Sequence, residues 1–161
     1  MKLFIIPILF CLVVVIGCGK TPNPDGRVDV SGTLTLNGQE ITDGVWSIFL
    51  KSDENHDNGG GGPVYKGKFH LTGRNAPKPG KYRVCLTGTR YIDAKTGNPV
   101  SPQTDPADFV TLKILPDDFF NNSKIEFEVV AKKKNIFNYN IETDFKPVEI
   151  NNNTRNREKT D

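Results

Sequence analysis

An all-β domain is the fold this sequence predicts, on three observations. Apolar and polar residues alternate with a period of two, most clearly where Val28, Val30, Leu34 and Leu36 face away from Asp29, Ser31, Thr33 and Thr35. Stretches of helical periodicity are few. Ten Phe among abundant Gly, Pro, Thr and Asn fit short strands joined by tight turns.

The chain opens Met1-Lys2 and then runs apolar from Leu3 to Ile16, broken by Pro7. A charged start, an apolar stretch of about a dozen residues and a small residue at the cleavage point describe a secretory signal. A membrane span needs about 20 apolar residues, so an uncleaved helix is disfavoured. Val15-Ile16-Gly17-Cys18 resembles the lipobox of bacterial lipoproteins. The resemblance implies that residues 1–17 are removed, that the Cys18 thiol takes a diacylglycerol and that its freed amine is acylated. Two lipid signals already anchor a protein stably. The expected address is the cell membrane or outer membrane; Gly19, which is not the Asp that retains some lipoproteins in the inner membrane, points toward the outer one.

About 140 residues follow the signal, enough for one domain with its own core. A formal net charge of +2 makes no electrostatic case for nucleic acid. Cys11 leaves with the signal and Cys18 is committed to lipid, so Cys85 is left without a disulfide partner and cysteine metal sites are excluded. Cys85 lies in a strand-like run and is expected to be a buried, inert thiol.

Residues 18–26 hold two prolines and read as a tether. The sandwich domain is expected over residues 27–146. In strand one, Gly32 occupies an inward position, which predicts a bulge or a close backbone approach. Asn37-Gly38 follows as a turn. Val45 to Leu50 is apolar on both faces and is expected at the centre of a sheet, with Trp46 in the core.

Residues 51–62 end in four glycines and are expected to form a mobile loop. Short strands are predicted over residues 64–66 and 68–72, joined at Gly67, and another where Tyr82, Val84 and Leu86 alternate with Arg83, Cys85 and Thr87. Residues 91–108 show little pattern and read as a long surface excursion. An edge strand is expected over 109–115. Ile125, Phe127 and Val129 are expected to form a hairpin with Phe137, Tyr139 and Ile141 across Lys132-Lys133-Lys134-Asn135. The three lysines read as a solvated turn that discourages aggregation. Residues 147–161 are polar and are expected to be a disordered tail.

The order of these pieces resembles carboxypeptidase regulatory-like domains. The likeness rests on Val30-Ser31-Gly32-Thr33-Leu34-Thr35-Leu36-Asn37-Gly38, then Asp43-Gly44-Val45, Gly67-Lys68-Phe69 and Pro79-Gly80-Lys81-Tyr82-Arg83-Val84. Leu115-Pro116-Asp117-Asp118-Phe119, Ser123 and Asn135-Ile136-Phe137-Asn138-Tyr139 resemble a group of small bacterial lipoproteins that carry this domain. One departure is Lys66, where those domains usually have an acidic residue before Gly-x-Phe. The resemblance implies a single seven-stranded Greek-key sandwich, transthyretin-like (prealbumin-like) and immunoglobulin-like in shape, with no enzymatic activity and no cofactor.

Two histidines, His56 and His70, and no Gly-x-Ser-x-Gly elbow leave little from which to build a hydrolase. No Ser, His and Asp grouping is expected on a rigid scaffold. Hydroxyisourate hydrolases share the transthyretin-like fold, but their closing Tyr-Arg-Gly-Ser signature is missing from Arg155-Asn156-Arg157-Glu158-Lys159-Thr160-Asp161. Asp53, Asn55 and Asp57 are the candidate calcium ligands, spaced at alternate positions before a glycine. That glycine comes one place late, and the twelfth position from Asp53 is Val64 rather than Glu, so a solvated loop is the expected reading. The functional expectation is an anchored module that binds an envelope protein or carbohydrate through the 51–62 and 91–108 loops. The alternatives are a structural subunit docking into a larger envelope complex and, remotely, a small hydrolase.

Overall fold

Alternation in the sequence becomes ten strands among the described residues, which in this computed structural model are 23–53, 55–100 and 109–150. The strands are β1 (Val30–Leu36), β2 (Gln39–Glu40), β3 (Val45–Lys51), β4 (Gly60–Val64) and β5 (Lys68–Leu71). They continue with β6 (Gly80–Asp93), β7 (Phe109–Lys113), β8 (Glu126–Val129), β9 (Asn135–Ile141) and β10 (Val148–Glu149). In the smaller sheet β1 is central, with β5 and β2 antiparallel along one edge and β9 parallel along the other. In the larger sheet β3 and then β4 lie on one side of β6, while β7 and β8 lie on the other and β10 flanks β7.

The two sheets face each other across one core. Val30, Leu34, Phe69, Leu71, Phe137 and Ile141 enter it from the smaller sheet. Trp46, Ile48, Leu50, Tyr82, Val84, Leu86 and Val129 enter from the larger. β3 lies between β4 and β6, as its two apolar faces predict. At Gly32 the backbones of β1 and β9 come so close that a Cβ would stand 1.7 Å from the Phe137 carbonyl oxygen. Asn37 (φ 50°) and Gly38 (φ 77°) turn β1 into β2 with two consecutive left-handed residues.

Six expectations need correction. The glycine run is not a mobile loop: Gly60, Gly61 and Gly62 are strand β4, paired with Leu50, Phe49 and Ile48. A Cβ on Gly60 would lie 2.5 Å from the Asn75 carbonyl oxygen, and one on Gly61 would lie 2.7 Å from the Phe49 ring. Glycine here permits close approach. Residues 91–93 are likewise not loop, because β6 continues to Asp93 and Tyr91 pairs with Thr111.

β7 is not an edge strand, since Val148 and Glu149 pair with Lys113 and Leu112 and so place part of the expected tail in the sheet. β8 and β9 do not form a hairpin. β8 pairs with β6 and β9 with β1, so residues 130–134 arch between the sheets. The buried Asn135 holds the arch, accepting from Val130 N at 2.8 Å and donating to Val130 O at 3.1 Å. The end of the expected tether is docked: Asn23 accepts from Gly73 N at 2.8 Å and donates to Asp29 at 2.8 Å. Residues 18–22 lie outside the described residues.

Candidate functional site

β7 and β8 run in the same direction along one side of β6, opposite residues 89–93 and 80–83. They are two ends of one interrupted strand. The intervening 114–125 strap begins with Ile114 and Leu115 in the core and makes a 3-10 turn over Asp117–Phe119. It returns with Ser123 donating its hydroxyl proton to the Val84 carbonyl. Phe120 of the strap meets Phe49 edge to face at 5.7 Å, and Lys51 Nζ stands 3.7 Å from the centre of the Phe120 ring. Cys85 is opposite Phe49 in the sheet and has no exposed surface. Burial pushes its thiol up, against a smaller opposing effect from Lys51 and Arg83, so little thiolate is present at neutral pH.

Beside the strap opens a cleft of about 480 Å³ whose charged lining is Lys51, Asp53, Lys81, Arg83, Lys124, Glu126 and Glu128. Cross-strand pairing sets Lys81 opposite Glu128 and Arg83 opposite Glu126. Arg83 also bonds Asp53 Oδ1 at 3.0 Å and the Asn121 carbonyl at 3.0 Å. Both signs of charge are therefore interleaved, as suits a polar or zwitterionic ligand better than a polyanion.

The 52–59 loop on the rim of this cleft contains the calcium candidates. Asp53 is paired with Arg83. Asn55 accepts from Asp57 N at 2.9 Å and so shapes its own turn. The guanidinium of Arg27 donates to the carbonyls of Asp57 at 2.7 Å, Gly59 at 2.8 Å and Ala76. A cation thus already occupies the loop's carbonyls, and the described residues contain no cluster of three His, Cys, Asp or Glu side chains able to hold a metal. Tyr82 Oη lies 2.9 Å from the Asn58 carbonyl and 2.7 Å from the Lys78 carbonyl, tying this loop to the turn before β6. Burial raises its pKa, against the opposing effects of Arg27 and the Lys78 carbonyl, so the phenol stays protonated. Arg27 and Tyr82 went unassigned in the sequence because their partners lie far along the chain or in a different turn.

The described parts of the two loops expected to share a ligand lie at opposite ends of β6. Lys51 is opposite Arg83 near one end of β6, whereas residues 94–100 leave β6 at Asp93, at the other end. Residues 101–108 lie outside the described residues. At that far end Arg90 Nη2 donates to Asp43 Oδ1 at 3.0 Å, and the buried Nε lies 2.8 Å from Oδ2 as an ion pair without a hydrogen bond, beside a cleft of about 250 Å³.

A Ser, His and Asp grouping does exist, contrary to expectation. Ser31 is opposite His70 across β1 and β5, and His70 Nε2 lies 3.6 Å from Asp29 Oδ2. It sits on the outer face of the smaller sheet, and no hydrogen bond joins Ser31 to His70. His56 is elsewhere, in the 3-10 turn of the 52–59 loop. The His70 side chain is 51% exposed, so the grouping lies open to solvent.

Cys18, the expected lipid attachment residue, lies outside the described residues. Among the described residues no helix is long and apolar enough to cross a membrane. The chain matches no protein-family model, no curated protein sequence and no solved structure.

Proposed function

We propose that this chain carries a non-enzymatic binding module of the transthyretin-like, immunoglobulin-shaped kind. Seven principal strands support the reading: β1, β3, β4, β5, β6, the interrupted β7/β8 and β9, with β2 and β10 as short additions. Support also comes from Tyr82, whose hydroxyl reaches the carbonyl four residues upstream at the start of a strand, as tyrosine corners of such sandwiches do. More particularly, the protein is a small bacterial envelope lipoprotein with a carboxypeptidase regulatory-like domain, held to the cell membrane or outer membrane by lipid on Cys18.

Val15-Ile16-Gly17-Cys18 is the observation that carries this reading. The binding face is the end of the sandwich where the mixed-charge cleft meets the 52–59 loop, and its ligand is an envelope protein or a carbohydrate. The open outer face around Asp29, Ser31 and His70 supports a role other than hydrolysis.

Fractionation of cells producing the native chain and Cys18→Ala tests the anchor. The native chain should sediment with membranes and resist extraction by salt, and Cys18→Ala should lose that behaviour. Equal membrane retention of both would overturn the reading.

A structural role is the second reading, and β9 favours it, since among the described residues its outer edge pairs with no strand. Substitution of Lys81 and Lys124 should abolish capture of a cleft ligand but leave assembly through an edge intact.

A further inference from the structure

β9 pairs with β1 alone, so among the described residues its other edge carries no strand. The Ile141 carbonyl accepts from Asn37 N, which fixes the strand's orientation. Successive peptide groups point to opposite sides, so Asn135, Phe137, Tyr139 and Ile141 address β1. Ile136, Asn138 and Asn140 therefore address the free edge. A free edge of this length is a template for another strand unless proline, a bulge or inward charge blunts it. None of these interrupts Asn135–Ile141.

The side chains that flank this edge leave it open. Asn138 and Asn140 turn back across the sheet and accept from the Thr33 and Thr35 hydroxyls at 2.9 and 2.8 Å. Ile136 is 47% exposed and Val130 is 37% exposed, two of the large apolar residues left uncovered by the fold. Charge lies only at the strand's two ends, and with opposite sign. Lys132, Lys133 and Lys134 precede it, and Glu142 and Asp144 follow it.

We propose that the β9 edge pairs antiparallel with the β9 edge of a second copy, about a two-fold axis at Asn138. This register sets Lys134 opposite the other copy's Glu142, Ile136 opposite Asn140, and Phe137 opposite Tyr139. Each contact occurs twice, as an isologous interface requires. A parallel pairing would lay the three lysines of one copy on those of the other. Moving the axis to Asn140 would set Lys134 against Lys146. Charge therefore selects both the direction and the register. The pairing goes beyond the anchored-module reading and does not depend on lipid.

Cross-linking of the full chain tests it. In an antiparallel hydrogen-bonded pair, opposed Cα atoms lie about 5.5 Å apart, within reach of a short thiol-specific cross-linker. Asn138→Cys should give a covalent dimer of twice the chain mass, in whole cells and equally in a Cys18→Ala background. Should Asn138→Cys weaken the Thr33 contact, mixing Ile136→Cys chains with Asn140→Cys chains interrogates the same register.

Lys134→Glu or Glu142→Lys alone should lower the yield about tenfold, and the double exchange should restore it. Salt should lower the yield of the unexchanged pair. The proposal is overturned by absence of a dimer from both cysteine designs. It is equally overturned by a yield indifferent to the charge exchange, or by products whose mass shows a different protein on the edge. Because dimer yield is read in the Cys18→Ala background too, failure here and failure of the anchor are separate results.

Discussion

Polar side chains with distant partners hold the turns of this sandwich. Arg27 gathers carbonyls from two loops, Asn37 pairs in both directions with Thr143 at 2.9 and 3.0 Å, and Asn135 closes the arch between sheets. Asp93 does the same for the turn after β6, where its Oδ1 accepts from Thr96 N at 2.7 Å, Thr96 Oγ1 at 3.0 Å and Lys95 N at 2.9 Å. The Thr96 backbone bond, then the Thr96 hydroxyl and the Lys95 amide, hold the Asp93 carboxyl below its ordinary value. A folded-state pKa below the unfolded one stabilises the turn above about pH 4. That contribution is lost as pH falls through the folded value. Amide exchange at Lys95 and Thr96 should accelerate on acidification, whereas Asp93→Asn should show fast exchange with little pH dependence beyond the intrinsic rate. A wild-type turn that keeps its protection to strongly acid pH would exclude this role.

At the scale of elements, the strap between β7 and β8 lays Phe120 against Phe49, the residue opposite the buried Cys85. An aromatic pair contributes about 0.5–1.5 kcal/mol beyond its burial. Phe120→Ala should thus make local opening easier and raise the labelling rate of Cys85 about tenfold, read by mass spectrometry of the Cys85 peptide. An unchanged rate would show that some other group seals the thiol.

Much of the element pattern was legible in the sequence. Period-two alternation located β1, the start of β6, β8 and β9, a run apolar on both faces located β3, and Asn37-Gly38 marked its turn. The glycine run misled because composition records the absence of side chains, while the reason for that absence, a carbonyl at 2.5 Å, exists only in three dimensions. Adjacent alternating runs also look alike whether they pair with each other or fold into opposite sheets. The pairing of β8 with β6 and of β9 with β1 is what tells the arch from a hairpin, and the buried Asn135 then closes it through Val130.

For the whole molecule, the expected anchor rests on a local motif and the cleft does not. Val15-Ile16-Gly17-Cys18 is contiguous, whereas the cleft assembles Lys51, Arg83 and Glu126 from three strands whose order no local signal gives. The same long reach governs how β1 acquires its neighbour. Thr33 and Asn138, bonded side by side in the parallel pair β1–β9, stand 105 residues apart in the chain. At about 5–20 residues per second, a ribosome needs about 5–20 s to deliver the second after the first. Throughout that interval the first long strand is present and its parallel mate does not yet exist. Chains stalled before residue 135 should be cut by protease within β1, and released full-length chains should resist. Resistance before β9 emerges would contradict this order. A domain that cannot close until β9 has been made stays threadable, the state that the export proposed above would require.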